Sequence, residues 1–280
     1  MVKKMETMEI IKESLKFPSQ DIVKLIIYIV IAIIAAIVGS VGGILFVVGL
    51  LGDVFVAIIG LILLIVGLIL AFIIMGYQIS IIKTGIDGDE NVPEFKWKEN
   101  LPVGIKFLVV NIVYFIIPAI ITLLVGWVTN LYGLSAEIFM KMYKASAAAP
   151  ANTTVIPSNV IPHSTFVSLG TAMWITGAVA LILFIIFAII HNMGESRLAN
   201  TGSLGQALNI PEAFKDIGRI GWGKVISVVI LIFLINIVVN AILSGLNYYL
   251  PGLSLLSIIV TPYLIFFAAR ATGLLYSDIA

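Results

Sequence analysis

Residues 25–82 carry one charged side chain in 58 positions. That charge is Asp53, with 28 uncharged residues between it and Lys24 and 29 between it and Lys83. An α-helix rising 1.5 Å per residue crosses a hydrocarbon core of about 30 Å in roughly 20 residues. Each gap therefore holds one crossing. Within lipid every backbone N–H and C=O must find its partner inside the structure, which a helix achieves alone. A β-barrel would show short alternating strands rather than unbroken apolar runs. The rest of the 280-residue chain agrees, at 61% hydrophobic and 11% charged, whereas soluble domains carry about 25% charged residues. The predicted class is all-α, a polytopic integral membrane helix bundle.

Six spans are predicted, at about 22–48, 54–82, 105–130, 167–191, 224–247 and 253–276. Asp53 with Gly49 and Gly52 makes the first turn, and Tyr248-Tyr249-Leu250-Pro251-Gly252 the last. Pro118 is a candidate kink in the third span. Residues 1–21 form an amphipathic N-terminal segment, followed by one transmembrane domain over 22–280. With this topology 14 of the 16 Lys and Arg fall on one side, and only Lys141 and Lys144 on the other. Basic residues favour the cytoplasmic side, so the expected location is the plasma membrane with both termini cytoplasmic. The lead before the first span does not read as a cleaved signal peptide. A net charge of +1 offers nothing to nucleic acid, and with no cysteine there is no disulfide framework or thiolate chemistry.

The long connection at about 131–166 is expected outside. Leu134, Ile138 and Met142 predict a short surface helix there, followed by an irregular Ser/Thr/Asn/Pro stretch. Asn152-Thr153-Thr154 fits the N-glycosylation acceptor pattern, with an unmodified Asn152 as the plain alternative.

The loop between the second and third spans, with GIDGDENVPEFKWKE at 85–99, has a second copy. Met75-Gly76 recurs as Met193-Gly194, Asn91-Val92-Pro93-Glu94 as Asn209-Ile210-Pro211-Glu212, and Lys106 as Lys224, each 118 residues on. The repeat is parallel, 75–130 against 193–247. Asn is a strong N-cap, Pro suits the first helical turn, and Glu three residues on completes a capping box. Two short interfacial helices are therefore predicted, about 92–100 and 210–218, in preference to a catalytic loop. Asn91, Glu94, Asn209 and Glu212 would cap them, while Phe95, Trp97, Phe214 and Trp222 would anchor them in the membrane surface.

Gly76-Tyr77 closing a span, then Gly85, Pro93-Glu94-Phe95, Trp97 and Gly104 before the next, resemble the uncharacterised, mainly archaeal membrane family labelled domain of unknown function 4013. Gly202-Ser203-Leu204 and Ala207 are similar to that family's second cytoplasmic segment, and the resemblance covers roughly residues 12–276. Val92 stands where leucine is expected, and Lys96 where an acid is more usual. The resemblance implies a multi-span membrane protein and no activity.

Asn236, Asn240, Ser244 and Asn247 fall on one face of the fifth span, with Asn111 of the third able to meet them. They read either as a polar path or as bonds between helices, the latter averaging about 0.6 kcal/mol each. The first span carries small-residue stripes, Ala32/Ala36/Ser40 and Ala35/Gly39/Gly43, which predict close packing with Gly60 and Gly67 of the second. His191, Glu195 and Arg197 are expected at a solvated inner interface, and Arg270 is expected to snorkel to inner head groups. No catalytic motif, cofactor site or metal site is found. The preferred reading is a non-enzymatic scaffold, assembly or envelope component whose partners are the lipid bilayer and a second copy or another membrane protein. The alternatives are a small-molecule or lipid transporter with a polar path along helices three and five, and a lipid-active enzyme using Glu94, Glu212, His191 and Arg197.

Overall fold

The computed structural model describes residues 4–150 and 153–280. Among them are eleven α-helices, one 3-10 helix and no strand. The helices are α1 (Thr7–Gln20), α2 (Ile22–Gly52), α3 (Val54–Asp87), α4 (Trp97–Val128), α5 (Leu131–Ala148), α6 (Pro157–Val160), α7 (His163–Thr201), α8 (Leu204–Ala207), α9 (Ile210–Ile220), α10 (Trp222–Tyr249) and α11 (Ser257–Tyr276). Six of them, α2, α3, α4, α7, α10 and α11, are long and apolar enough to cross a membrane. This is a multi-pass membrane protein of all-α architecture.

Several helices outrun their predicted spans. α3 has 34 residues and α7 has 39, against the roughly 20 that a bilayer core requires. Nothing breaks them at the end of the apolar run. A helix continues past the hydrocarbon until a residue at positive φ stops it, and here those residues are Gly88 (φ 71) and Gly202 (φ 65). At the other extreme, Pro251–Leu256 forms a 3-10 turn, so the last span starts at Ser257 rather than near 253. The connection at 131–166 holds a longer helix than predicted, with α5 running from Leu131 to Ala148 before the irregular stretch begins.

The described chain divides into two compact units, Met1–Ile112 with Ile189–Ala280, and Val113–Ala188. In the first unit α2 and α3 form a tight hairpin. Asp53 accepts a bond from Phe55 N at 2.8 Å and donates its own N–H to Gly49 O at 2.9 Å. A Cβ on Gly49 would overlap the Ala57 backbone, and one on Gly67 would lie 2.5 Å from Gly39 Cα. The predicted small-residue faces therefore meet, although Gly42 rather than Gly43 makes the close approach, to Leu63 and Leu64. α11 is the enclosed helix, with 61% of its apolar window buried against 11–22% in the other five spans. Those five expose large apolar side chains, Leu51 and Trp174 among them, as lipid-facing surfaces do.

Within the second unit the Phe115 and Phe184 rings stack at 6.1 Å, and the Thr129 and Thr176 hydroxyls meet at 3.1 Å.

Candidate functional site

In the first unit the polar side chains concentrate around α1, the 88–97 connection, the C-terminal turns of α7 and α11, and α9. The 88–97 connection carries the tetrapeptide of the first repeat copy, and it is not the predicted helix. Residues 91–96 are irregular and α4 starts at Trp97. Asn91 caps nothing: its backbone N–H and side-chain amide both donate to Asp89 Oδ1, at 2.9 and 3.0 Å. The Lys24 ammonium donates to Val92 O at 2.7 Å and pairs with Glu94 at 2.8 Å. Tyr77 donates to Pro93 O at 2.8 Å, and its ring stacks on Phe95 at 4.0 Å. Trp97 sits 5.6 Å from Phe95 and is 48% exposed, the more exposed of the two rings. These tertiary bonds hold the tetrapeptide extended, as a strap across α2 and α3. The two amide donors from Asn91 hold the Asp89 carboxyl below its ordinary range, and the Lys24 backbone N–H does the same for Asp21.

The second copy is helical. Asn209 Oδ1 accepts from Glu212 N at 3.2 Å and opens α9. The Glu212 carboxylate does not return to the cap. It pairs with Lys215 at 2.6 Å and Arg219 at 3.4 Å, and the Lys215 ammonium holds it below its ordinary range. α9 buries Ala213, Asp216, Ile217 and Ile220; its Phe214 and Trp222 at the start of α10 are about half exposed, their rings edge to face at 5.0 Å. Asp216, 1% exposed, accepts from Arg197 at 2.7 Å, Arg219 at 2.8 Å and the Tyr276 hydroxyl at 3.2 Å. Three partners offset the cost of burying that charge.

Arg270 corrects the sequence expectation. It does not reach for head groups but is 2% exposed. Its guanidinium donates to Glu13 of α1 at 2.6 Å and to Asp89 O at 2.6 Å, and lies 4.7 Å over the Phe17 ring. α1 covers it, with Ile10, Ile11 and Phe17 buried and Tyr263 of α11 donating to Leu15 O at 2.6 Å. Beside this pair lies an open cavity of about 510 Å³, lined by Glu9, Lys12, Glu13, Lys16, Glu90 and Arg270 among others. The lone arginine in an apolar span was the available signal. Its partner 257 positions away was not legible.

The His191, Glu195 and Arg197 group is also not the solvated cluster expected. His191 is 7% exposed, its ring 6.1 Å from Phe107, while Arg197 turns to Asp216 and Gln206. Glu94 pairs with Lys24, while Arg197 and Glu212 join one charge network through Asp216 and Arg219. Of the polar stripe, Asn111, Asn236 and Asn240 donate their amides to carbonyls of their own helices, Phe107, Ile232 and Asn236, at 2.8–2.9 Å. Ser244 is exposed, and the Asn247 Oδ1 is buried without a hydrogen-bond partner. Asn152 lies outside the described residues. Among the described residues no group of three or more His, Cys, Asp or Glu could hold a metal ion.

No curated protein and no solved structure matches the chain. One family model does, over residues 59–248, which include both copies of the repeat. The chain belongs to that family, described as Protein of unknown function (DUF4013).

Proposed function

We propose that this is a non-enzymatic protein of the plasma membrane, a scaffold, assembly or envelope component. Both termini, the strap and α9 lie on the cytoplasmic side, and residues 131–166 lie outside. One observation carries the reading: the charged and aromatic side chains beside the spans hold element to element. Lys24 binds the strap, Arg270 binds α1, Asp216 gathers α7, α9 and α11, and Lys224 of α10 pairs with Asp278. Groups committed this way build a rigid polar layer next to the bilayer, which suits a protein that works by presenting surfaces to a second copy or a membrane partner. In mild detergent it is expected to run as a homo-oligomer or a stoichiometric complex; a monodisperse monomer that binds no partner would sink the reading. The cysteine-free chain also allows a direct test of orientation. Single cysteines at Glu90 and Lys144 are expected to be respectively protected from, and labelled by, an impermeant maleimide on intact cells.

The transporter alternative draws support from the parallel repeat and the alignment of Asn236, Asn240 and Ser244 on α10. Leucine at Asn236 and Asn240 tests it in proteoliposomes, since flux that survives both substitutions does not use that face.

A further inference from the structure

α1 carries two lysines one turn apart, Lys12 and Lys16, and each has a glutamate three residues before it, the usual helical partner. Neither pair forms. Glu9 turns back to accept from Glu6 N at 3.0 Å, and Glu13 takes the Arg270 guanidinium at 2.6 Å. Among the described residues the Lys12 and Lys16 side chains make no hydrogen bond or ion pair, and the Glu90 carboxylate makes none either.

All three line the open cavity of about 510 Å³ between α1, the end of α3 and the last turns of α11. Small-molecule sites commonly enclose about 300–1,000 Å³. Arg270 lines the same cavity and is a fixed charge, 2% exposed and held by two bonds to Glu13 and one each to Thr84 and Asp89 O. The end of α3 sets the depth. Gly88, which also lines the cavity, stands five residues beyond Lys83, the first charge after the apolar run. At 1.5 Å per residue that is about 8 Å past the hydrocarbon, roughly the depth of a head-group layer.

The unpaired charges specify the ligand. Two ammonium groups one turn apart repel each other, and lysine binds phosphate as a point charge. Glu90, on a different element, matches an ammonium. The glutamates around the cavity are not a metal site, because no group of three or more His, Cys, Asp or Glu among the described residues could hold an ion. We propose that the cavity binds a headgroup carrying both a phosphate and an ammonium, of which phosphoethanolamine is the simplest. Lys12 and Lys16 take the phosphate and Glu90 takes the amine. A ligand seated there ties α1 to the end of α3, beside the ion pair between Arg270 and Glu13.

The test uses the full-length protein in detergent, stripped of lipid and titrated in native mass spectrometry. The probes are phosphatidylethanolamine, phosphatidylglycerol and water-soluble O-phosphoethanolamine. Phosphatidylethanolamine is expected to bind more tightly than phosphatidylglycerol, which has the phosphate without the amine. Lys12→Gln/Lys16→Gln is expected to weaken it about 30-fold. Glu90→Gln is expected to weaken it about fivefold and to tighten phosphatidylglycerol, opposite shifts that misfolding does not produce. All three side chains are exposed, so both variants keep the fold. O-phosphoethanolamine binding that depends on the same lysines, with no binding of the lipid, supports the site and assigns it to a soluble ester. Equal binding of the two lipids by wild type overturns the proposal, and so does a match between wild type and either variant.

Discussion

The two repeat copies contain the same tetrapeptide pattern in two conformations. Asn209-Ile210-Pro211-Glu212 starts a helix, whereas Asn91-Val92-Pro93-Glu94 is an extended strap. The difference lies in the residues just C-terminal to each tetrapeptide. After Glu212, Lys215 and Arg219 stand three and seven residues on and both pair with it. After Glu94 the matching positions are Trp97 and Leu101, which cannot, so Glu94 turns to Lys24 instead. The exits differ as well. Gly221, at φ 114, breaks α9 from α10, but the first copy has Val103 there, a β-branched residue that does not adopt positive φ, and α4 runs on unbroken. Further along, Gly104 lets α4 press against the α3 backbone, while its counterpart Trp222 is an exposed ring. A local cap motif is thus a weak instruction that tertiary partners override.

The sharpest way to break this comparison is at its most buried charge. Asp216→Ala strands Arg197, Arg219 and the Tyr276 hydroxyl, and is expected to cost about 3–5 kcal/mol in denaturant unfolding in micelles. The matched Lys98→Ala, at an exposed site, is expected to change stability by less than about 0.5 kcal/mol. Equal costs would mean both copies are held alike. Next is helix contact. Gly104→Ala puts a Cβ into the Phe72 carbonyl, an overpacking of about 1–3 kcal/mol. Trp222→Ala, which removes only the half-exposed edge-to-face contact with Phe214, should cost less, and the reverse order in thermal melts would contradict the assignment of close packing to the first copy. Smaller still, Tyr77→Phe keeps the stack on Phe95 and loses one hydrogen bond to Pro93, about 1 kcal/mol. No change in its melting would mean that ring packing alone holds the strap.

The smallest effect sharpens what the copies share. Asp89 beside the strap and Glu212 in α9 both have carboxyl groups held below their ordinary values of 3.8 and 4.5. A folded-state value below the unfolded one contributes stability that is present above those values and lost as pH falls through the lowered ones. Melting temperature should therefore decline in acid, and Asp89→Asn or Glu212→Gln should each flatten that decline slightly. A decline that is untouched in both variants would assign the acid sensitivity to other groups.

Most of the architecture was legible in the chain. A charge-free gap longer than a bilayer is thick leaves the backbone one solution, so six spans and the Gly-lined α2–α3 hairpin could be read from spacing alone. Helix ends could not, because the apolar run marks where lipid stops and not where the backbone meets a breaker. The candidate site was half legible. Asn209 acted as its local word predicts, since its helix carries its own i+3 and i+7 partners. Asn91 did not, since Lys24 lies 67 residues upstream and only folding brings its ammonium to Val92 O. Arg270 and Glu13, 257 positions apart, are the same lesson at greater distance. Hydrophobic length is a one-dimensional property, and the sequence alone determined the class of fold and the number of spans. Which charge meets which is decided when helices pack, because an ion pair away from bulk water is set by proximity in space, and only the tertiary structure supplies that.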